Sequence, residues 1–441
     1  MQIGILGLGF VGLSFASVLG SKSFSVIGVD TDLEKIEAIS KNKVPFFEPK
    51  LNLFLKNALS KSLKISSNIE DVLKKSDIVF LTIGTPRSKE GYIDLSMLKK
   101  AAKDIGNCLK TLKKKPIIVI KSTVVPGTTN KIEKIITKSS GKKSGNGFSI
   151  LTNPEFLREG SAINDTLKPH LVVIGGYEKN SMEKLRGFYE KFYGKKVRII
   201  LTNSQTAEMI KYANNSFLAT KISFINQIST LCQNIPGTNV DDIAEAIGID
   251  PRIGSAFLKA GPGYGGSCLP KDLSTMIKFS SKIGAEPILL KAVEKTNDNQ
   301  IENIFQIINK KLGKLENKQI GILGLSFKEN SDDIRESRSI ELIKILLKQK
   351  CKIKVHDPKA IKNTKLIFKD KIIYSNSISN VINNSNCIVI MTPWREYTKL
   401  KNDDFNNMKK KLVIDTRRIF SKRKMKIDYI ALGVGGDQLL Q

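Results

Sequence analysis

The chain opens with Gln2-Ile3-Gly4-Ile5-Leu6-Gly7-Leu8-Gly9-Phe10-Val11-Gly12, and this stretch decides the fold class. The apolar run Gln2–Leu6 predicts a buried strand, Gly7, Gly9 and Gly12 hold the spacing G-x-G-x-x-G, and a helix is predicted to follow. Met1 to Ser21 carries no charged residue. It lacks the basic segment that precedes the apolar run of a secretory signal, and Gly4, Gly7, Gly9, Gly12 and Gly20 interrupt it, so neither a signal nor a membrane span is expected. The next strand, Ser25–Val29, ends at Asp30, eighteen positions past Gly12. In this context the glycines let the backbone approach a pyrophosphate at a helix N-terminus, and the acid accepts hydrogen bonds from an adenosine ribose. A carboxylate there repels a 2′-phosphate, so NAD is expected in preference to NADP. Gly7, Gly9, Phe10, Val11, Gly12 and Asp30 are the candidate coenzyme residues.

Working outward, buried strands are predicted at Ile78–Ile83, Ile117–Lys121, Leu171–Ile174 and Val197–Leu201, with helical patterns between them. Alternating β and α predicts a parallel, doubly wound sheet. From Gln205 the pattern changes: Thr206–Cys232 reads as one long helix without internal Gly or Pro, and further helices run to about Leu315. The alternation then restarts as a repeat. Ile3-Gly4-Ile5-Leu6-Gly7-Leu8 reappears as Ile320-Gly321-Ile322-Leu323-Gly324-Leu325. Asp30 is echoed by Asp357 after Lys352–His356, and Asp77–Thr82, leading to Pro86, by Asn386–Thr392, leading to Pro393. The second copy has Ser326 and Glu329 where the first has Gly9 and Gly12, so its first turn is expected to bind phosphate with help from Lys328. The expected fold class is α/β: two Rossmann-like domains, 1–203 and 317–441, joined by an all-α segment, 204–316. Two nucleotide-type lobes with one NAD fingerprint suggest a substrate that is itself a nucleotide.

The 441 residues carry 72 Lys+Arg against 42 Asp+Glu, a formal charge of +30. The lysines are spread evenly, with only short runs such as Lys113–Lys115 and Lys409–Lys411, unlike the clustered footprint of a polynucleotide binder, so no nucleic-acid partner is expected. Five scattered cysteines, none paired at zinc-ligand spacing, point to a reducing cytosol and to no metal site.

The most informative stretch is Gly261-Pro262-Gly263-Tyr264-Gly265-Gly266-Ser267-Cys268-Leu269-Pro270-Lys271-Asp272. Pro270 suits a helix start, which places Cys268 at or just before an N-terminus whose partial positive charge, with a nearby Lys, stabilises a thiolate. Asp272 falls on the same helical face and can serve as acid/base or water-positioning group. Cys268 is therefore the candidate nucleophile, while Cys108, Cys232, Cys351 and Cys387 read as inert small residues. Two other i,i+4 pairs stand out, Lys211 with Asn215 and Glu155 with Glu159, each of which would otherwise be a solvated helix surface pair.

Together these motifs resemble the UDP-glucose/GDP-mannose dehydrogenase family over essentially the whole chain. The match runs through Gly7–Gly12, Ser122-Thr123-Val124-Val125-Pro126-Gly127-Thr128, Asn153–Gly160, Lys211–Asn215, Gly263–Asp272, and Gly324–Lys328 with Asp332–Ser337. The resemblance implies a four-electron oxidation of a sugar CH₂OH to a carboxylate with two NAD⁺ in turn. Cys268 would hold the aldehyde as a thiohemiacetal and then a thioester, and Lys211 and Asp272 would handle the proton and the oxyanion. Glu159 and Thr123 would position water and the nicotinamide end. Glu155, Phe156, Leu157, Arg158 and Asn215 would line the sugar. Phe257, Lys259, Tyr264 and Gly265 would clasp the nucleotide sugar, and Phe327, Lys328 and Arg417 would reach it from the third domain. Arg252 resembles an arginine that family members donate across a dimer interface, which implies a homodimer through the central helices. Lys35, Thr85, Lys271 and Arg335 would join Asp30 on NAD.

Within the family, Asn153–Gly160 with Ser161-Ala162 is similar to the UDP-glucose and GDP-mannose branches and unlike the N-acetylmannosamine branch. Arg252–Leu258 followed by Gly261–Cys268 leans to UDP-glucose. Arg418 departs from the Asn that many bacterial members carry. The competing class, a two-electron hydroxyacid dehydrogenase, leaves Cys268 and the third domain without a use. A non-enzymatic polyanion binder would rest on the charge alone.

Overall fold

The opening run is a strand, β1 (Gln2–Leu6), and the computed structural model, which describes residues 1–88, 91–420 and 425–436, builds an eight-stranded sheet around it. The others are β2 (Ser25–Val29), β3 (Leu63–Ser66), β4 (Ile78–Leu81), β5 (Ile117–Ile120), β6 (Ser149–Thr152), β7 (Val172–Gly175) and β8 (Ile199–Thr202), in the order β3-β2-β1-β4-β5-β6-β7-β8. Alternate residues feed two separate cores. Ile78 and Phe80 of β4 and Ile117 and Val119 of β5 enter one, and Val79, Leu81, Ile118 and Ile120 enter the other. Both faces are covered, and that is why these strands are continuously apolar.

The expected parallel sheet needs one correction: β6 and β7 run antiparallel, through Thr152 and Gly175. Residues 153–161 form neither helix nor strand, and the helix Ala162–Leu167 that follows has only six residues. The connection, residues 153–171, carries only this short helix, and β7 sets off in reverse from β6. Sequence reading also ran β4 and β5 slightly long, to Ile83 and Lys121, and set β7 and β8 one to two residues early.

The chain divides into two compact units, Met1–Asn214 and Asn215–Gln441, the division falling inside the helix Ser204–Gln233. In the second unit, β9 (Gln319–Leu323), β10 (Lys352–His356), β11 (Ile373–Tyr374), β12 (Cys387–Ile390), β13 (Leu412–Asp415) and β14 (Asp428–Ala431) form an all-parallel sheet in the order β11-β10-β9-β12-β13-β14. The repeat extends to hydrogen bonds. Asp77 accepts from the Gln2 amide at 2.8 Å, and Asn386 accepts from the Gln319 amide at 2.9 Å. The helices Val240–Ile249, Leu269–Lys282 and Ile288–Leu312 precede this sheet. Ile301, Ile304, Phe305 and Ile308 of the last one belong to the same core as Ile320 and Ile322 of β9, so helical segment and sheet share one unit. Among the described residues no helix is long and apolar enough to cross a membrane.

Candidate active site

The turn after β1 is shaped for a ligand. Gly7 has φ +98° and donates its amide to Val29 O at 2.8 Å, and a Cβ on Gly12 would lie 1.9 Å from Gly7 O. A Cβ on Gly9 would meet nothing within 4 Å, and Gly9 starts the helix Phe10–Ser21 without a side-chain cap. The space and the amides are thus left for an anion such as the NAD pyrophosphate. Asp30 accepts from the Leu8 amide at 2.8 Å and the Lys35 ammonium at 3.1 Å on one oxygen, and from the Asp32 amide on the other. Burial pushes the Asp30 carboxyl up, but the Leu8 and Asp32 amides and Lys35 together hold it below the usual carboxylate value. Thr85 donates to Thr123 O at 2.8 Å, which ties two expected coenzyme residues together.

The second cluster of this unit forms around Glu155. Residues 153–158 form no helix, so Glu155 and Glu159 are not a solvated helix surface pair. Pro154 and the buried Asn153, whose Nδ2 donates to Val173 O at 2.7 Å, hold this stretch as a loop against β7. Glu155 is 7% exposed and makes an ion pair with Lys211 at 3.0 Å, and Lys211 also lies 5.4 Å from the centre of the Phe156 ring. Glu159 is buried, whereas Arg158 is exposed and paired with Asp165 at 2.7 Å. Leu157 donates its amide back to Glu155.

In the second unit Cys268 is the N-cap of the helix Leu269–Lys282, with Pro270 in its first turn. Its carbonyl accepts from the Asp272 amide at 2.8 Å, and its Sγ lies 3.5 Å from Ser267 Oγ. Asp272, 1% exposed, accepts from Asn215 Nδ2 on one oxygen and from Lys271 Nζ on the other, each at 2.6 Å. The thiol is only half-buried, whereas Cys232, Cys351 and Cys387 are buried; burial pushes the Cys351 thiol up to about 11, as expected of an inert residue. Side-chain amides pin the loop before Cys268. Asn226 accepts from the Gly261 amide, Gln300 donates to Gly261 O, and Asn297 both accepts from the Tyr264 amide and donates to Tyr264 O. Gly266 donates to Arg335 O at 2.9 Å, and a Cβ on it would strike the Phe327 ring; one on Gly265 would lie 2.2 Å from Glu336 O. Arg417 is bonded to Met391 O at 2.9 Å, and burial beside Arg418 pulls its guanidinium down to about 10.

The Arg252 guanidinium, 87% exposed, pairs with Asp250, and that of Arg335, 64% exposed, with Asp333. Lys259 is exposed, Phe257 adopts φ +64°, and Lys328 lies 5.6 Å from the Phe327 ring centre.

Comparison with known proteins decides the family. Residues 1–193 match the NAD binding domain of the UDP-glucose/GDP-mannose dehydrogenase family, 205–299 its central domain, and 321–422 its UDP binding domain. The chain belongs to the UDP-glucose/GDP-mannose dehydrogenase family. A UDP-glucose 6-dehydrogenase of Haloferax volcanii is 37% identical over 98% of this chain and 100% of its own. One from Bacillus subtilis is 36% identical over 98% of this chain and 93% of its own. The structure of a UDP-glucose dehydrogenase from Pyrobaculum islandicum superposes with a TM-score of 0.92 at 33% identity, covering 98% of each chain. The coenzyme of this family member is NAD, matching the cradle around Gly9 and Asp30.

Several residues that hold this dehydrogenase's clusters in shape escaped the sequence reading. Glu48, 5% exposed, accepts from the Gly160 and Ala162 amides at 2.7 and 2.8 Å and so anchors the loop of Glu155. Glu208 accepts from the Gly127 and Thr129 amides at 2.6 and 2.7 Å, which caps the helix Thr128–Ser140 and docks the segment carrying Lys211. Arg418, read as a departure from the family, bonds Asp241 at 2.9 Å, Leu432 O at 3.1 Å and Ala260 O at 2.8 Å. None carries a local signal, since each acts on backbone far away in sequence; the Glu-Pro of Glu48-Pro49 in a Pro-rich turn was the nearest to one.

Proposed function

We propose that the chain oxidises the C6 hydroxymethyl of UDP-glucose to a carboxylate, giving UDP-glucuronate. The observation that carries this reading is the Cys268 thiol at a helix N-terminus, one turn from the Asn215–Asp272–Lys271 chain. A two-electron dehydrogenase has no use for such a sulfur. The named relatives, matched over nearly their full length, supply the choice of UDP-glucose.

Gly7, Gly9, Phe10, Val11, Gly12, Asp30, Lys35 and Thr85 hold the adenosine and pyrophosphate of NAD, and Thr123, Glu159, Lys271 and Arg335 complete its site. Bound NAD⁺ supplies the acceptor for one hydride in each of two oxidations. In the first, Lys211 and Asp272 take the hydroxyl proton and steady the oxyanion. The helix end favours the Cys268 thiolate, which adds to the aldehyde carbon and keeps it in place. Loss of a second hydride leaves a thioester, and a water positioned by Glu159 and Thr123 hydrolyses it, returning the thiol. One CH₂OH and one water become one carboxylate, and four electrons leave as two hydrides. Glu155, Phe156, Leu157, Arg158 and Asn215 line the sugar; Phe257, Lys259, Tyr264, Gly265, Phe327, Lys328 and Arg417 hold the nucleotide sugar. Residues 1–203, 204–316 and 317–441 divide these tasks among coenzyme, helical and UDP-binding domains.

The same reading makes the enzyme a homodimer. Phe217, Phe224 and Leu231 are 65%, 50% and 51% exposed at seven-residue spacing on the long helix, an apolar stripe that a second copy would cover and so bring in Arg252. Five free cysteines fit a cytoplasmic enzyme.

The test is stoichiometry on a panel of UDP-glucose, UDP-N-acetylglucosamine, UDP-N-acetylmannosamine and GDP-mannose. Two NADH per UDP-glucose are expected, and one NADH would sink the four-electron scheme. Cys268→Ser should stall after the first oxidation, with steady turnover reduced roughly 100-fold or more, as for loss of a nucleophile.

A further inference from the structure

Lys121 is a buried cation to which the reaction scheme gives no task. Lys121 follows β5 directly and is 8% exposed, and its ammonium donates to Asn153 Oδ1 at 2.9 Å and lies 5.2 Å from the Phe15 ring centre. Asn153 also accepts from the Tyr189 hydroxyl, which fixes its carbonyl oxygen toward the lysine. Lys121 and Glu155 share the wall of a cavity of about 50 Å³, room for a few waters. Asp165, Lys168, His170, Tyr189 and Tyr193 also line it. Asp165 is already paired with Arg158, Lys168 and His170 are exposed, and burial pushes both tyrosine hydroxyls up, so these stay uncharged. The one buried carboxylate that acts on Lys121 is Glu155, and Glu155 already binds Lys211 at 3.0 Å.

Two buried ammonium groups therefore lie in the field of one buried carboxylate, which pairs directly with Lys211 while Asn153 holds Lys121. Burying a second cation is costly, and a carboxylate paired with a single lysine would keep that lysine protonated and a poor base. We infer that Lys121 is a positioning residue of the proton-handling site, its buried ammonium, held by Asn153 beside the Lys211–Glu155 pair, opposing a second positive charge and so favouring the uncharged amine on Lys211. Burial pulls Lys121 itself down to about 8, with Glu155 opposing and Lys211 reinforcing the fall, so it is still charged at neutral pH, where the effect is needed. This inference rests on the reading of Lys211 as a proton-handling group.

The test compares pH profiles of kcat/KM for wild type, Lys121→Gln, Lys121→Met and Lys211→Met. Gln retains a donor for Asn153 without the charge. Without Lys121's charge, Lys211 holds its proton more tightly, so the acid limb should move up by about half to one pH unit in both Lys121 variants. KM for the sugar on the high-pH plateau should stay within about twofold. An acid limb left in place in folded Lys121→Gln, with Lys211→Met inactive, overturns the role of Lys121 alone. Full activity in Lys211→Met overturns the proton-handling reading and this inference with it. Should neither Lys121 variant fold, competitive acylation of Lys211 in the wild-type protein across pH decides. Titration clearly below the ordinary lysine value of about 10.4 supports the inference, and titration at or above that value overturns it.

Discussion

The two Rossmann-like lobes share a scaffold and differ in what they leave free. Gly7 and Gly324 adopt φ +98° and +97°, and each donates its amide to the end of the neighbouring strand, at Val29 O and His356 O. Thr82 and Thr392 each brace the turn with a hydroxyl bond of 2.7 Å, to Gly7 O and Ser326 O. Leu8 and Leu325 each donate to the acid of the second strand, Asp30 and Asp357, at 2.8 and 2.7 Å. There the likeness stops. Asp357 also accepts from Ser326, Lys359, Ala360 and the Trp394 indole, and its lone pairs are consumed by the protein. The next helix of that lobe starts at Arg338, whereas the first lobe's starts at Phe10, three residues after Gly7. The repeated residues build the turn; the lobes differ in the helix end beside Gly9 and in an acid with three protein donors where Asp357 has six.

The largest break in this comparison should come from Gly12→Ala. Its Cβ would lie 1.9 Å from Gly7 O, so turn and helix must part, and NAD affinity should fall roughly 100-fold or more, about 2.7 kcal/mol. Coenzyme titration by fluorescence checks it; unchanged affinity would detach the turn from NAD. A paired swap comes next. Asp30→Asn should weaken NAD about tenfold, relax discrimination against NADP and cost less in melting than Asp357→Asn, because Asp30 takes three donors where Asp357 takes six. Asp357→Asn should leave NAD affinity alone and destabilise the fold by about 1–3 kcal/mol, since Asn cannot accept all those donors. Equal melting losses in both would erase the distinction. The smallest effect is in acid. Asp30 is held below its unfolded value, so its stabilisation is complete above about pH 5 and is lost as pH falls through 4 and below. Asp30→Asn should flatten that part of the unfolding curve, and an identical acid slope in both proteins would count against it.

Strands β1, β2 and β10 and the N-cap position of Cys268 were legible because each is written locally, as an apolar run, a glycine spacing or a proline after a cap. Sequence reading missed where side chains reach across the fold. The spacing of Glu155 and Glu159 mimics a helix turn, yet Lys211, 56 residues beyond Glu155, decides what Glu155 does. Likewise the reversal of β7 is not written in its own apolar run, and the anchoring by Glu48 rests on closures 112 and 114 residues long.

The loop leading to Cys268 is tied down by Asn226, Asn297 and Gln300, three side chains that carry no charge at any pH the enzyme meets. These three anchors are therefore insulated from acid, alkali and ionic strength. A change in the thiol's reactivity with pH or added salt reports the ionisable groups around it, while the ground on which the sulfur stands stays fixed.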